Sequence, residues 1–356
     1  MGSRWLLVIL SLFCLSCNDG QSSIVSNDPT PAPSSAAAPS SQEKSLNTAT
    51  ACLFSEIAYC NNPQLQLDKH LPGWKMVWHP VAVSGNHAFV ATDGRAYVVA
   101  IRGSLIEFSW DAFDNWIYQD LNVAIQKEWP YSDPGPSKIS QGSYRGWDNL
   151  SRAVDTVTGE TLYEFLRKNV TDKTPVLFTG HSLGGNLATV YASYASFKFR
   201  EESRTIANFN VITFASPAAG NQAFAAAFDN TFPHSVRVEN SGDIVAKFPC
   251  TSSVSALGSL YTSLPAASVM VGYKDLTVSL PTVFKMISTA MVLLELKNGL
   301  SHFAQTNGKG TLITVNPSGK NIAHDVQSWF AEAGYQHGIA QYATALGVPV
   351  IDCNLH

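Results

Sequence analysis

Gly180-His181-Ser182-Leu183-Gly184 sets a serine between two glycines and fits G-x-S-x-G, the pattern of a nucleophile carried on a sharp strand-to-helix turn. The flanking residues supply the context this pattern needs. The apolar run Val176-Leu177-Phe178 reads as a strand, and a helical stretch starts near Gly185. Such a turn brings backbone segments so close that a Cβ would collide, which accounts for Gly180 and Gly184. Ser182 at the apex is lifted clear of the sheet, where the positive end of the next helix favours developing negative charge. The chemistry is nucleophilic attack on an acyl carbonyl; the competing reading is a plain turn serine. His181 points elsewhere on such a turn and is expected to pack rather than to act as a base.

The elements that must position this turn are legible around it. Residues 87–92 and 96–101 read as strands joined by a turn containing Asp93-Gly94, a strong hairpin signal. Residues 147–168 read as one long amphipathic helix, with Leu150, Val154, Val157, Leu162 and Leu166 at helical spacing. A strand at 175–179, a helix at 185–199 and a strand at 210–214 follow, with further strands at 235–239 and 311–315. Strands alternating with helices predict an α/β fold with a mostly parallel central sheet and helices on both faces. No internal repeat is visible.

These residues are similar to a known family. GHSLGG at 180–185 resembles the elbow of the class 3, or fungal-type, lipases of the α/β-hydrolase superfamily. Val98-Val99-Ala100-Ile101-Arg102-Gly103-Ser104 resembles that family's strand ending in R-G-S/T, and Asn115-Trp116 with Asp120-Leu121 its N-W segment ending in D-L. Phe214-Ala215-Ser216-Pro217, then Asn221, resembles F-G-S-P-x-x-G-N, with Ala215 in place of a glycine. The likeness runs from about 51 to about 347, interrupted by an apolar, Ser-rich insertion at 251–299 that ends in a helix at 282–298. It implies an α/β-hydrolase fold and two oxyanion donors, Ser104 and the N–H of Leu183, for the tetrahedral anion; losing one such donor typically costs about 100 to 1,000-fold in rate.

A serine hydroxyl needs a base, and the base needs an acid that fixes its tautomer. Asp243 closes Arg237-Val238-Glu239-Asn240-Ser241-Gly242-Asp243, which resembles the family's R-V-x-N-x-x-D, although Ala246 stands where the family has a proline. The resemblance makes Asp243 the acid; a solvated loop aspartate is the alternative. His234 precedes it, against the family's Ser, Asp, His order. His302 precedes the last expected strand, on the wrong side for a residue of the catalytic rim, and His356 is terminal. His324 and His337 each have an aromatic five residues later, Trp329 and Tyr342, but only His337 matches H-x-x-x-x-Y, at the start of an expected terminal helix at 339–346. His337 is the expected base and His324 the alternative.

Leu105, Ile106, Phe108, Trp110 and Phe113 fall where the family carries its lid, so this segment is expected to cover the site in water and open on lipid, the alternative being permanent core packing. The expected activity is hydrolysis of lipid carboxylic esters at a lipid-water interface, triacylglycerols first, with phospholipase A1, feruloyl-type esterase or an inactive lipid-binding surface protein as alternatives. No metal site is expected, since H-E-x-x-H, paired C-x-x-C and EF-hand patterns are missing; the expected reaction needs no cofactor, and no protein partner is expected.

Composition agrees. A net charge of -4 and a pI near 6.1 provide no basic stripe for nucleic acid. Residues 1–17 place Arg4 before an apolar run too short to span a bilayer and read as a signal peptide, with Cys17 a candidate for lipid attachment or else discarded on cleavage. Residues 18–50, rich in Ser, Ala and Pro, read as a flexible tether before a domain at 51–356. The chain is thus expected to be secreted or extracytoplasmic. Cys52, Cys60, Cys250 and Cys353 suggest two disulfides, with three pairings open. Sequons at Asn149 and Asn169 matter only where the source glycosylates.

Overall fold

Short apolar strands alternate with helices along the chain, and the computed structural model describes residues 46–80, 82–105, 109, 125–132, 135–261, 269–273, 276–298, 301–306, 309–318 and 325–353. Helices α1 (Thr48–Ile57) and α2 (Pro63–His70) lead into β1 (Lys75–Trp78), β2 (Ala88–Thr92) and β3 (Tyr97–Ile101). Next come β4 (Gln126–Glu128), β5 (Lys138–Ser140), α3 (Gln141–Arg152), α4 (Leu162–Asn169), β6 (Val176–His181) and α5 (Leu183–Glu201). Then follow β7 (Phe209–Phe214), β8 (Gly220–Asn221), α6 (Gln222–Thr231), β9 (Val236–Asn240) and α7 (Thr251–Val254). The remainder is β10 (Met270–Tyr273), β11 (Leu276–Ser279), α8 (Leu280–Asn298), β12 (Phe303–Ala304), β13 (Lys309–Ile313), α9 (Val326–His337) and α10 (Ile339–Ala345).

The main sheet runs β1-β2-β3-β6-β7-β9-β13. β1, β2 and β3 pair antiparallel, and every pairing from β3 to β13 is parallel. β6 lies at the centre with all its residues buried, as a strand covered on both faces requires. Its side chains alternate between the two faces. Thr179 Oγ1 lies 3.0 Å from Ser55 Oγ of α1, while Phe178 packs through Phe209 against Phe199 of α5. Helices therefore cover both faces.

Three expectations are corrected. The single helix at 147–168 is two, because Val154 and Val157 are exposed and the chain turns between them around Asp155. The buried Asp155 carboxylate accepts from the N–H groups of Val157, Thr158 and His79, and a Thr161–Glu164 capping box starts α4. The cysteines form one disulfide among the described residues, Cys60–Cys353, leaving Cys52 and Cys250 as thiols. Cys52 is fully buried in α1 and fills the core as a small hydrophobe. Third, His337 ends α9 instead of opening the terminal helix, with Gly338 joining α9 to α10.

The insertion extends the core: Val254, Leu257, Val269, Leu280 and Phe284 join the main apolar cluster, and Phe284 lies against Trp329 of α9. Among the described residues no helix is long and apolar enough to cross a membrane. The leader at 1–17, Cys17, most of the 18–50 tether, the Asn115-Trp116 and Asp120-Leu121 segments, and the lid segment apart from Leu105 lie outside the described residues.

Burial raises the Asp155 carboxyl, but N–H groups led by those of Thr158 and His79 overcome it and hold the group down to about 2. Its folded pKa lies below the unfolded value of about 3.9, so its contribution is complete above that pH and disappears as pH falls toward the folded value. Asp155→Ala is expected to lower unfolding free energy by about 2 kcal/mol at neutral pH. In urea titrations the gap from wild type should close between about pH 4 and pH 2.

Candidate active site

β6 ends at His181 and α5 begins at Leu183, so one residue carries the reversal: Ser182, with φ 59° and ψ -131°. A positive φ is strained for a residue with a Cβ, and it persists where the surroundings over-determine it. Here they do. A Cβ on Gly184 would lie 2.2 Å from the carbonyl oxygen of Ile101, and one on Gly180 would lie 2.4 Å from the carbonyl carbon of Gly184. The Ser182 N–H donates to the carbonyl of Phe214 at 2.9 Å, pinning the turn to β7. The Ser182 side chain makes no capping bond to α5, which leaves its hydroxyl for another partner.

That partner is His337. Ser182 Oγ donates to His337 Nε2 at 2.9 Å, and His337 Nδ1 donates to Asp243 Oδ2 at 2.9 Å. Asp243 follows β9, and its other oxygen accepts from the Val245 N–H at 2.8 Å. Tyr342 of α10 donates its hydroxyl to Asp243 Oδ2 at 2.7 Å and accepts from the Asn240 N–H at 3.0 Å. Asn240 also donates to the carbonyl of Gln336, the residue before His337, at 2.9 Å. One asparagine thus joins the end of β9 to the end of α9.

A second relay holds the His337 backbone. Tyr59 Oη donates to His181 Nδ1 at 2.9 Å, and His181 Nε2 donates to the carbonyl oxygen of His337 at 2.7 Å. Burial and the neighbouring His337 push His181 down to about 3, so it stays neutral and holds this tautomer. It packs against His337, as expected from the sequence, and its bond to the His337 carbonyl, which the sequence did not foretell, orients that residue. Burial raises the Asp243 carboxyl, but His337, Tyr342 and the Val245 N–H together hold it below its ordinary value. Ser182, His337 and Asp243 are 1%, 4% and 0% exposed, so the relay is dry and its electrostatics are strong.

Ser104 and Leu183 line a common cavity of about 410 Å³ with Gly103, whose added Cβ would come within 3.2 Å of Ser182 Cβ. A second cavity of about 380 Å³ also reaches Ser104 and is lined by His337, Tyr59 and Glu56. The arrangement sets a serine hydroxyl, an imidazole and a carboxylate in one hydrogen-bonded row near a recess, the constellation that acyl transfer requires. Of the other histidines, His302 is paired with Glu295 at 2.6 Å and His234 is exposed; His324 and His356 lie outside the described residues. Among the described residues, no group of three or more His, Cys, Asp or Glu side chains is arranged to hold a metal ion. Tyr59, Gln336 and Glu56 carried no sequence signal of their own, since only the fold brings them here.

The class 3 lipase family model matches residues 98–253, a span that includes Ser104, Ser182, Leu183 and Asp243. Lipase ZK262.3 of Caenorhabditis elegans is 41% identical over 81 residues, covering 22% of either chain. Phospholipase A1-II 3 of Oryza sativa subsp. japonica is 29% identical over 181 residues, 46% of this chain and 41% of that one. This chain therefore spans less than half the length of these curated relatives. The crystal structure of M37 lipase superposes with a TM-score of 0.66 at 23% identity, covering 86% of this chain and 93% of that one, and shows the same fold.

Tyr342→Phe removes one donor from Asp243 and leaves the buried Asn240 N–H without its acceptor. The expected result is a kcat lower by about 10-fold and a melting temperature lower by several degrees, read by ester hydrolysis and calorimetry.

Proposed function

We propose, from the match of residues 98–253 to the class 3 lipase family model and from the α/β-hydrolase fold, that this chain is a carboxylic ester hydrolase that cleaves lipid esters through an acyl-enzyme on Ser182. One observation carries the reading: the unbroken relay from Ser182 through His337 to Asp243, each step 2.9 Å. His337 takes the hydroxyl proton as Ser182 attacks the ester carbonyl, and Asp243 steadies the imidazolium. The N–H groups of Ser104 and Leu183 receive the oxyanion. His337 then returns the proton to the departing alcohol; in the second half it takes a proton from water as the water attacks the acyl-enzyme carbonyl, and gives it to Ser182 Oγ as the acid leaves.

Triacylglycerol at a lipid-water interface is the leading substrate class, since the matching family is one of lipases. The rice relative's name favours phospholipase A1 as the second reading. A feruloyl-type ester would use the same relay, because the acyl and alcohol pockets decide among substrates. An inactive lipid binder is disfavoured by the complete relay. The Cys60–Cys353 disulfide supports an oxidising, extracytoplasmic setting. A leader at 1–17, a tether at 18–50 and a lipid on Cys17 belong to the same proposal.

Ser182→Ala and His337→Ala are each expected to lower kcat on emulsified tributyrin by roughly 10,000-fold or more. A fluorophosphonate probe should label the wild type at Ser182 and leave Ser182→Ala unlabelled. Full hydrolysis by Ser182→Ala, or labelling at another residue, overturns the reading.

A further inference from the structure

Glu56 is a carboxylate that the relay does not use. It lies on α1, only 2% exposed, one turn before Cys60. Its Oε1 accepts from the Ile351 N–H at 3.3 Å, while its Oε2 is buried with no hydrogen-bond partner. The Cys60–Cys353 bridge holds the segment that carries Ile351 against α1, so the wall around this carboxyl is covalently fixed. A buried carboxyl oxygen left unpaired is costly, and each such group in a native protein calls for an explanation, such as a catalytic role or a partner supplied by water, an ion or a ligand.

Glu56 lines the cavity of about 380 Å³ together with His337 and Ser104, and Ile339, Ala340 and Ile351 make it largely apolar. The reaction proposed above assigns the cavity a role. His337 must hand its proton to the departing oxygen, so the alcohol part of the ester leaves on the His337 side. The other cavity is lined by Leu183 and not by His337, and the proposal leaves it to the acyl part.

Building on the ester-hydrolase reading, we propose that the Glu56 cavity is the subsite for the alcohol part of the substrate, and that Glu56 Oε2 hydrogen-bonds a free hydroxyl there. The enzyme would then select esters of polyols, such as partial glycerides, over esters of plain alkanols. Ile339, Ala340 and Ile351 would house the alcohol's carbons. A hydroxyl suits the site better than a cationic head group. Burial pushes the Glu56 carboxyl up to about 7, against the Ile351 N–H, which weakens its hold on a cation. A hydroxyl both donates and accepts, so it satisfies the oxygen in either protonation state. Sites built around a substrate hydroxyl also discriminate strongly against analogues that lack it.

The test compares kcat/KM for dissolved glycerol monobutyrate and propyl butyrate, which share the acyl group and a three-carbon alcohol and differ in the hydroxyls. Wild type is expected to prefer the glycerol ester by roughly 10-fold. In Glu56→Leu the ratio should fall toward one, and in Glu56→Gln, whose amide oxygen still accepts, it should stay between the two. Ser182-dependent hydrolysis of both esters at equal kcat/KM in the wild type overturns the subsite and leaves the ester-hydrolase reading standing, whether or not Glu56→Leu folds. An unchanged ratio in a folded Glu56→Leu does the same. Butyrylcholine outrunning both esters in wild type and losing that lead in Glu56→Leu would make this a cation site instead. Hydrolysis of neither ester would overturn both readings.

Discussion

At the Ser182 turn the chain passes from strand to helix within a single residue, and the end of β3 lies directly against it. The added-Cβ distances of 2.2 Å at Gly184 and 2.4 Å at Gly180 measure how little room remains. Most of the site follows from this contact. It forces the unusual backbone of Ser182, whose hydroxyl makes no capping bond to α5, and brings Gly103 alongside Ser182. The strain is held by the parallel ladders of β6 to β3 and β7, whose register leaves the turn no slack.

The other half of the site is built from buried polar groups that satisfy one another. Asn240 bonds to α9, and its N–H goes to Tyr342 of α10. Tyr342 and the Val245 N–H in turn complete Asp243. Networks of this kind cost stability when any member is unpaired, and they specify one geometry when all are paired. The result fixes an imidazole at the junction of two helices, where side-chain packing alone would leave its ring free to turn. His181 closes the arrangement by holding the His337 backbone while its own ring remains neutral.

The buried titratable groups divide by what surrounds them. Asp243 is surrounded by donors and stays ionised, whereas Glu56 has one backbone N–H and apolar neighbours and is pushed the other way. The same residue chemistry thus yields an ionised partner for His337 in one place and a carboxyl held toward its neutral form in another. Solvation and partner count decide between them, as they do wherever two carboxyls in one protein have different roles.

Much of this was written into short stretches of sequence. Gly180, Ser182 and Gly184 encode their turn locally, because the steric demand falls within five residues. The hairpin at Asp93-Gly94 and the place of Asp243 after its strand are local in the same way. The reading of 147–168 as one helix failed because Val154 and Val157 continued the apolar period across a turn that a single buried aspartate organises. Four cysteines marked a redox setting but not a pairing, since Cys52 is enclosed in the core and only folding brings Cys60 to Cys353. Tertiary structure alone decided that Tyr59 and His181 would brace the His337 backbone and that Glu56 would face Ile351, a residue 295 positions away. Backbone geometry is set between near neighbours, whereas the partners of a buried polar group are set by the order of strands in the sheet.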